Sequence, residues 1–97
     1  GFQLSDMARL EINEAFAAQV LGVVKGLARE HQMTEEEITF RLNIHGGAIA
    51  LGHPLGSSGT RIVVSLVHAL RRENQPTGLA SLCIGGGMGI ALLVKTI

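Results

Sequence analysis

A thiol, an imidazole and a carboxamide each stand beside a glycine-rich stretch or a short apolar segment of this 97-residue sequence. Cys83 is the only cysteine, and Ile84 and three consecutive glycines at 85–87 follow it. His53 lies within the segment His45–Arg61, HGGAIALGHPLGSSGTR, and Asn13 follows a segment of alternating apolar residues. Backbone amides in a glycine run can act as an oxyanion hole. Together these groups predict an acyl-transfer site.

His53 is the residue with the least obvious structural purpose. Pro54 fixes its own φ and pushes the residue before it into an extended conformation. Neighbouring glycines let the backbone take positive φ and let a ligand approach closely. A stiffly held histidine in such a loop indicates a positioned functional side chain. The loop is not a phosphate loop, because His53 and Pro54 stand where that motif requires Lys and Ser or Thr.

Simpler interpretations exist for the other groups. A lone cysteine in an apolar strand is often a small core residue, and Asn13 stands where a helix N-cap belongs. His45 could bond to the loop backbone, and His31 and His68 are predicted to be solvated. One cysteine and four dispersed histidines show no zinc spacing.

Apolar periodicity predicts the elements that position these groups in the first half of the chain. Residues 1–7 are predicted to form a loop, and alternation over 8–13 predicts a strand. A helical face follows from Glu14, although Gly22 and Gly26 weaken that helix unless they allow close packing. Thr34–Glu37 has the form of a capping box that opens a single helical turn. Alternation over 39–44 then predicts a second strand.

The second half is predicted to contain one long helix and two strands. Ser57 or Ser58 can cap the helix, whose apolar stripe is Ile62, Val63, Leu66, Val67 and Leu70. Leu79–Ile84 is an apolar run typical of a strand buried on both faces. A short glycine loop joins it to a last strand over 90–94, so these two strands must be antiparallel.

The order β-α-β-α-β-β predicts one α/β domain over residues 1–97, with a mainly parallel sheet and a terminal antiparallel strand. In that arrangement Asn13, the His53 loop and Cys83 all follow the carboxyl ends of strands. Open α/β sheets place their ligand sites at that edge. We therefore expect the three groups to emerge on the same edge of the sheet.

Composition excludes several classes of function. Eight basic residues balance eight acidic ones, and there is no Trp or Tyr, so nucleic-acid binding is not indicated. No apolar run approaches the roughly 20 residues that span a bilayer, and the first ten residues lack a signal-peptide layout. A single cysteine excludes an internal disulfide. We expect a soluble protein of the cytoplasm, with an organellar matrix as the alternative.

Three blocks of sequence resemble the C-terminal part of a thiolase. They are Asn13–Gln19 (NEAFAAQ), Gly46–Pro54 (GGAIALGHP) continuing through Gly56 and Gly59, and Cys83–Gly89 (CIGGGMG). Their order and spacing match the family nearly end to end. Two departures, His45 where asparagine is usual and Met88 where glutamine is common, bear only on the subfamily.

The resemblance implies catalysis of carbon–carbon bond formation or cleavage beside a coenzyme A thioester, which is the substrate, with no bound cofactor. By motif, His53 would be the base that activates a nucleophilic cysteine and would help hold a thioester oxygen. Cys83 would be the acid and base at the α-carbon. Asn13 would orient a water in the same oxyanion site, and the Gly85 amide would contribute to the second.

The resemblance also implies that part of the active site lies elsewhere. The nucleophilic cysteine belongs to the family's N-terminal half, which would be a partner of this chain in a homo-oligomeric enzyme. A thiolase half-domain has five strands with the first in the middle, and here that first strand is missing between 8–13 and 79–84. The chain alone is therefore expected to be inactive. Its two flanking strands could pair directly, borrow a strand from a partner or aggregate, and we expect association with the upstream half through the unpaired strand edges.

Three hypotheses on function stay open. The first is a thiolase segment of the acetoacetyl-CoA-forming type, with a longer-chain 3-ketoacyl-CoA thiolase as its variant. The second is a small cysteine hydrolase in which Cys83 is the nucleophile and His53 its base. The third is a binding or assembly module that keeps the fold without turnover.

Overall fold

The computed structural model describes all residues, 1–97, as one α/β layer with eight elements. A short 3₁₀ turn, Leu4–Asp6, precedes the regular elements. These are β1 (Arg9–Ile12), α1 (Ala17–His31), α2 (Glu35–Arg41), α3 (Ala48–Leu51), α4 (Ser58–Arg72), β2 (Thr77–Gly85) and β3 (Met88–Lys95).

The sheet has the strand order β1-β2-β3. β1 and β2 are parallel, with Arg9 opposite Gly78, and β2 and β3 are antiparallel. Leu42 adds a single parallel bridge to Leu10 on the outer side of β1. The predicted fold class, an α/β sheet with a terminal antiparallel strand, is confirmed.

Helices cover both faces of the sheet and form two separate apolar clusters. On one face, α1 and α2 pack on β1 around Leu10, Val24 and Ile38. On the other face, Ile62, Leu66 and Leu70 of α4 pack against Ala80 of β2. Three of the five residues of the predicted apolar stripe in α4 are therefore buried, as helical periodicity requires.

Gly78 lies against the side chains of α4, with no room for a side chain of its own. A Cβ on this glycine would lie 2.7 Å from Leu66 Cδ1 and 3.0 Å from the Arg9 carbonyl oxygen. By contrast, a Cβ on Gly22 or Gly26 of α1 would meet nothing within 4 Å. These two glycines do not serve close packing, so they only weaken the helix.

The predicted strand over 39–44 is wrong. The capping box is present, with Thr34 Oγ1 accepting from the Glu37 amide, but the helix continues from Glu35 to Arg41. Acidic residues in its first turn and Arg41 in its last complement the helix dipole. Only Leu42 forms a strand-like bridge, so most of the residues whose alternation predicted a strand lie in or next to a short helix.

Residues 1–7 are more ordered than predicted. Leu4 and Met7 are buried in the cluster between α1 and β1. Conversely, β2 is buried on both faces only near its start, and Cys83 and Ile84 are exposed. The outer half of the β2–β3 hairpin extends beyond α4, so the prediction of a fully buried strand is wrong for that half.

No gap separates the two parallel strands. The absent strand was predicted to leave unpaired backbone between them, but β1 pairs directly with β2 from Arg9–Gly78 to Ile12–Ser81. Direct pairing was one of the predicted responses to the missing strand, and in the structure the main-chain groups of the two strands satisfy each other.

None of the helices has the length and apolar character needed to cross a membrane.

Candidate active site

A pocket of about 340 Å³ at the carboxyl end of β2 brings together three of the predicted site residues. His53, Cys83 and Gly85 line it, with Leu55, Leu82 and Ile84 as apolar neighbours. His53 comes from the loop between α3 and α4, whereas Cys83 and Gly85 come from β2. The expectation that Asn13, the His53 loop and Cys83 emerge at one edge of the sheet holds, because Asn13 directly follows β1 and its amide donates to the Ser81 carbonyl oxygen of β2. The pocket itself contains His53 and Cys83 but not Asn13.

The glycines after Cys83 form the tight turn of the hairpin. Gly85, Gly86 and Gly87 have φ of 89°, 62° and 76°, which side chains rarely adopt. Positive φ at both central residues is what a two-residue hairpin turn between twisted strands requires. The strand register shifts between Cys83 and Gly85, so a bulge lies where the thiol meets the pocket.

The loop from His53 to Ser58 is closed by its own backbone. The Pro54 carbonyl oxygen accepts from the amides of both Ser57 and Ser58, each at 2.9 Å. This turn brings the Ser58 hydroxyl to 2.5 Å from His53 Nδ1. Ser58 is fully buried, and α4 begins at this residue. One end of the imidazole is therefore anchored to the first turn of a long helix.

The opposite end of the glycine loop is held by Glu14. Its carboxylate accepts from the Ile49 amide at 3.2 Å and from Asn43 Nδ2 at 3.0 Å. A Cβ on Gly47 would overlap that carboxylate, so any side chain there would displace Glu14 from these hydrogen bonds. Asn43, at φ 46°, also bonds to the backbone of Ile12 through both side-chain polar atoms. Glu14 and Asn43 thus join the end of β1 to the glycine loop.

Asn13 is placed differently from the other candidates. Helix α1 begins at Ala17 with Phe16 as its N-cap, so the prediction that Asn13 caps the helix is wrong. Asn13 is 1% exposed, and neither Oδ1 nor Nδ2 has a hydrogen-bond partner within the chain. It lies outside the residues that line the pocket of His53 and Cys83. A buried carboxamide without partners is costly, so a purely structural role within these residues does not account for Asn13.

A buried charged group accompanies Asn13. Glu11, two residues earlier on β1, is 4% exposed, and burial raises its pKa from 4.5 to about 7. The positive charge of Arg61 opposes this shift, and the negative charge of Glu14 adds to it. Arg61, in the first turn of α4, has two buried nitrogens without a hydrogen-bond partner.

The remaining histidines lie away from this pocket. His45 Nε2 lies 3.4 Å from Arg72 Nη1, so the expected bond to the loop backbone is replaced by a contact with α4. His31 and His68 are exposed, as predicted. No three side chains from His, Cys, Asp and Glu cluster in a way that could hold a metal ion.

A larger groove of about 590 Å³ lies at the opposite edge of the sheet, lined by Arg9, Phe40, Arg41 and Glu73 among others. Arg9 forms two bonds to Glu73 at 2.7 and 2.8 Å, and Arg41 donates to the carbonyls of Ser5 and Met7. Its charged groups are paired with each other or with backbone, so size alone does not make it the site.

Sequence reasoning missed three residues that hold the site together: Ser58, Glu14 and Asn43. The sequence predicts Ser58 only as a possible helix cap and Asn43 only as part of the strand over 39–44. The available signal was the stiff His53–Pro54 step followed within five residues by two serines. Such a step indicates that a nearby side chain, here one of the serines, holds the imidazole.

Comparison with known proteins decides the family. Residues 1–96 match the family described as thiolase, C-terminal domain. The chain belongs to this family. It is 50% identical over 95 residues to the acetyl-CoA acetyltransferase of Escherichia coli K12 and 48% identical over 91 residues to the 3-ketoacyl-CoA thiolase of Bacillus subtilis. These alignments cover 98% and 94% of this chain but only 22% and 21% of those proteins.

Solved thiolase structures share the fold of this domain. Human mitochondrial 3-ketoacyl-CoA thiolase, determined in complex with CoA, superposes with a TM-score of 0.84 at 45% identity. That alignment covers all of this chain and 22% of the human one. The Bacillus anthracis acetyl-CoA acetyltransferase gives a TM-score of 0.81 at 44% identity over 99% of this chain and 22% of its own. The chain thus spans about a fifth of the length of the relatives it matches.

Proposed function

We propose that this thiolase domain supplies part of the active site of an acetyl-CoA C-acetyltransferase. Such an enzyme forms or cleaves the carbon–carbon bond of acetoacetyl-CoA by acyl transfer to and from coenzyme A. The observation that carries the proposal is the single pocket lined by His53, Cys83 and Gly85. It holds a base, a thiol and a backbone amide together, which are the groups that enolate chemistry beside a thioester needs.

In condensation, Cys83 as a thiolate would take a proton from the α-carbon of acetyl-CoA. The resulting carbanion would attack the acyl carbon of an acetylated cysteine, so that a carbon–carbon bond forms as the carbon–sulfur bond to the enzyme breaks. In cleavage the Cys83 thiol would return the proton to the leaving carbanion. The exposed position of Cys83 at the mouth of the pocket suits this exchange with substrate.

His53 would act on the other reactant. It would take the proton of the nucleophilic cysteine during acyl transfer and would donate a hydrogen bond to a thioester oxygen during condensation. Asn13 would orient a water in that oxyanion site, a role supported by its two buried side-chain atoms without partners. The Gly85 amide would donate into the second oxyanion site from the turn of the hairpin.

The nucleophile must come from other residues, because this chain has one cysteine and the proposal assigns it to proton transfer. We therefore propose that these 97 residues alone do not turn over substrate. They would act together with the rest of a thiolase, in a homo-oligomeric enzyme. We place that enzyme in the cytoplasm, where a rat relative is named cytosolic; the human mitochondrial thiolase makes an organellar matrix the alternative.

The second candidate is a thiolase for longer 3-ketoacyl-CoA substrates. The Bacillus subtilis and human relatives carry that name at 48% and 45% identity, close to the 50% of the acetyltransferase from Escherichia coli. The two candidates share the chemistry of His53 and Cys83 and differ in acyl chain length. Comparing turnover of acetoacetyl-CoA and 3-ketooctanoyl-CoA distinguishes them.

The test is a chimera in which this chain replaces the matching segment of the Escherichia coli acetyl-CoA acetyltransferase. We expect it to form acetoacetyl-CoA and to become labelled by radioactive acetyl-CoA. Cys83→Ala should abolish carbon–carbon bond formation and leave the acetyl label, because the nucleophile is elsewhere. Ser81→Ala, two residues earlier on the same strand, is the matched control and should keep both activities.

Two results would contradict the proposal. A folded chimera that forms no acetoacetyl-CoA would remove the enzymatic function and favour a binding or assembly module. Loss of the acetyl label in a folded Cys83→Ala variant would make Cys83 the nucleophile, as in the cysteine-hydrolase hypothesis.

A further inference from the structure

We propose that Ser58 is a positioning residue that holds His53 and serves both of its roles by exchanging donor and acceptor at Nδ1. The inference rests on the proposed function, since the two roles of His53 come from it. Its physical basis is the contact between Ser58 Oγ and His53 Nδ1 at 2.5 Å.

Ser58 is well placed to fix the ring. It is fully buried, and its amide donates to the Pro54 carbonyl oxygen at 2.9 Å, so backbone and side chain both close the loop around His53. The hydroxyl makes no other hydrogen bond. His53 itself is exposed at the pocket. A buried anchor on one side of an exposed ring leaves Nε2 to face the reactants.

Helix capping does not account for this hydroxyl. The N-cap of α4 is Ser57, whose side chain forms no capping bond, and Ser58 is the first residue of the helix. If its role were to satisfy helix amides, its oxygen would accept from an amide two or three residues later. It contacts an imidazole instead, which is a functional group.

A hydroxyl suits a histidine that must change roles. As a base, His53 needs a free electron pair on Nε2, so Nδ1 carries the proton and donates to Ser58 Oγ. As a neutral oxyanion donor, it needs the proton on Nε2, so Nδ1 accepts from the Ser58 hydroxyl. Serine is both donor and acceptor, whereas a carboxylate would only accept and would lock one tautomer. Ser58 therefore supports both tautomers without a change of geometry, and the proton passes between Nδ1 and Nε2 by exchange with solvent at the pocket, where the ring is exposed.

The experiment uses the active chimera with Ser58→Ala, and Ser57→Ala as the matched control. Ser57 is the neighbouring serine, exposed and without a side-chain capping bond. We expect Ser58→Ala to lower kcat by about 10- to 100-fold, part of the roughly 10² to 10⁴ that proton transfer contributes. KM should change by less than about threefold, because a uniform loss of binding is not involved. Ser57→Ala should match the parent.

Conservative variants separate the hydroxyl from mere packing. Ser58→Thr keeps the hydroxyl and should recover most of the loss in kcat. If its extra methyl lowers the melting temperature, Ser58→Cys, with a weaker donor of similar size, takes its place and should recover part of the loss. Recovery by neither variant at an unchanged melting temperature would overturn the proposal.

A structural measurement tests the contact without relying on turnover. In crystals of the chimera, the His53 ring should rotate or adopt two orientations in Ser58→Ala and stay fixed in Ser57→Ala. An unmoved ring, or a loss confined to KM, would overturn the positioning role. An inactive parent chimera would instead contradict the proposed function, and the ring orientation would still decide whether Ser58 holds His53.

Discussion

The two edges of the sheet differ in whether their buried or half-buried polar groups have hydrogen-bond partners. At the amino-terminal edge, Arg9 is paired with Glu73 at 2.7 and 2.8 Å, Arg41 donates to two carbonyls, and Thr77 Oγ1 donates to the Asp6 carbonyl at 2.9 Å. At the carboxyl edge, Asn13 and Arg61 have buried polar atoms without partners. Arg9 begins β1 and Asn13 directly follows its last residue, so the two kinds of residue stand at opposite ends of one short strand.

This difference separates stability from function within one small domain. Unpartnered buried polar groups cost free energy, so a fold keeps them where another molecule or segment supplies the partner. The positive φ values at Gly85–Gly87 belong to the same edge. The larger groove lies at the other edge, where every charged side chain described above is paired. Buried polar atoms without partners, rather than groove volume, distinguish the carboxyl edge from the amino-terminal edge.

The largest effect should come from His53→Ala in the chimera. We expect turnover to fall by at least about 10³-fold, because proton transfer and oxyanion stabilisation contribute about 10² or more each. Melting temperature should stay within a few degrees, since His53 is exposed and belongs to the edge that contributes little stability. Steady-state rates within tenfold of the parent would refute the assignment of His53.

The next effect concerns the pH dependence of folding of the 97-residue chain. The folded-state pKa of Glu11 is raised to about 7 from 4.5, so the folded state holds this proton more tightly than the unfolded state. The free energy of unfolding should therefore fall as pH rises from 4.5 to 7, by up to roughly 3 kcal/mol. Glu11→Gln should remove this loss. Urea titrations at pH 5 and pH 8, with light scattering to check for association, measure it.

Glu73 at the opposite edge is the matched control, because its pH dependence has the opposite sign. The hydrogen bond from Arg9 lowers the pKa of Glu73, with smaller contributions from neighbouring positive charges. Its stabilisation is therefore present above its ordinary pKa and lost as pH falls through the lowered value. If Glu11→Gln and Glu73→Gln changed the pH dependence in the same direction, the contrast between the two edges would be wrong.

The smallest expected effect on stability comes from helix α1, which belongs to neither edge of the sheet. Gly22 and Gly26 are exposed on α1, and a Cβ on either would meet nothing within 4 Å. Alanine at each position should raise the free energy of unfolding by about 0.5–1 kcal/mol and leave chimera turnover unchanged. Gly78→Ala is the contrasting variant and should destabilise, since its Cβ would lie 2.7 Å from Leu66. Urea titration distinguishes a gain from a loss.

The elements predicted from sequence are those with a single dominant pattern. Helix α4 has a clear apolar stripe, and the glycine run between β2 and β3 allows only a tight antiparallel connection. Over 39–44 two patterns competed, because Phe40, Leu42 and Ile44 alternate while Ile38 and the capping box favour a helix. Ile38 is fully buried and Phe40 is 77% exposed, so tertiary packing decided for the helix.

The sequence predicted the side chains that could do chemistry, but not the residues that hold them in place. Cys83 lies at the carboxyl edge because it stands near the end of β2, as element order predicted. The strand predicted before the His53 loop is reduced to the bridge of Leu42 with Leu10, so element order explains the place of His53 only in part. The contact of Ser58 with His53 depends on the turn that Pro54 closes, and the close approach of the Glu14 carboxylate to Gly47 joins segments 33 residues apart in the chain. Such contacts require the folded geometry, because no periodicity records them.

The direct pairing of β1 with β2 has a consequence for the folding kinetics of the chain. The hairpin of β2 and β3 closes locally, which takes microseconds in isolated hairpins. The contacts at the amino-terminal edge join residues 64 and 71 positions apart, Arg9 with Glu73 and Asp6 with Thr77. Closing so long a loop costs chain entropy before the contacts between its ends can form and compensate, and this slows folding. We expect this well-paired edge to form after the rate-limiting step, so that Arg9→Ala speeds unfolding and barely changes the folding rate in stopped-flow measurements.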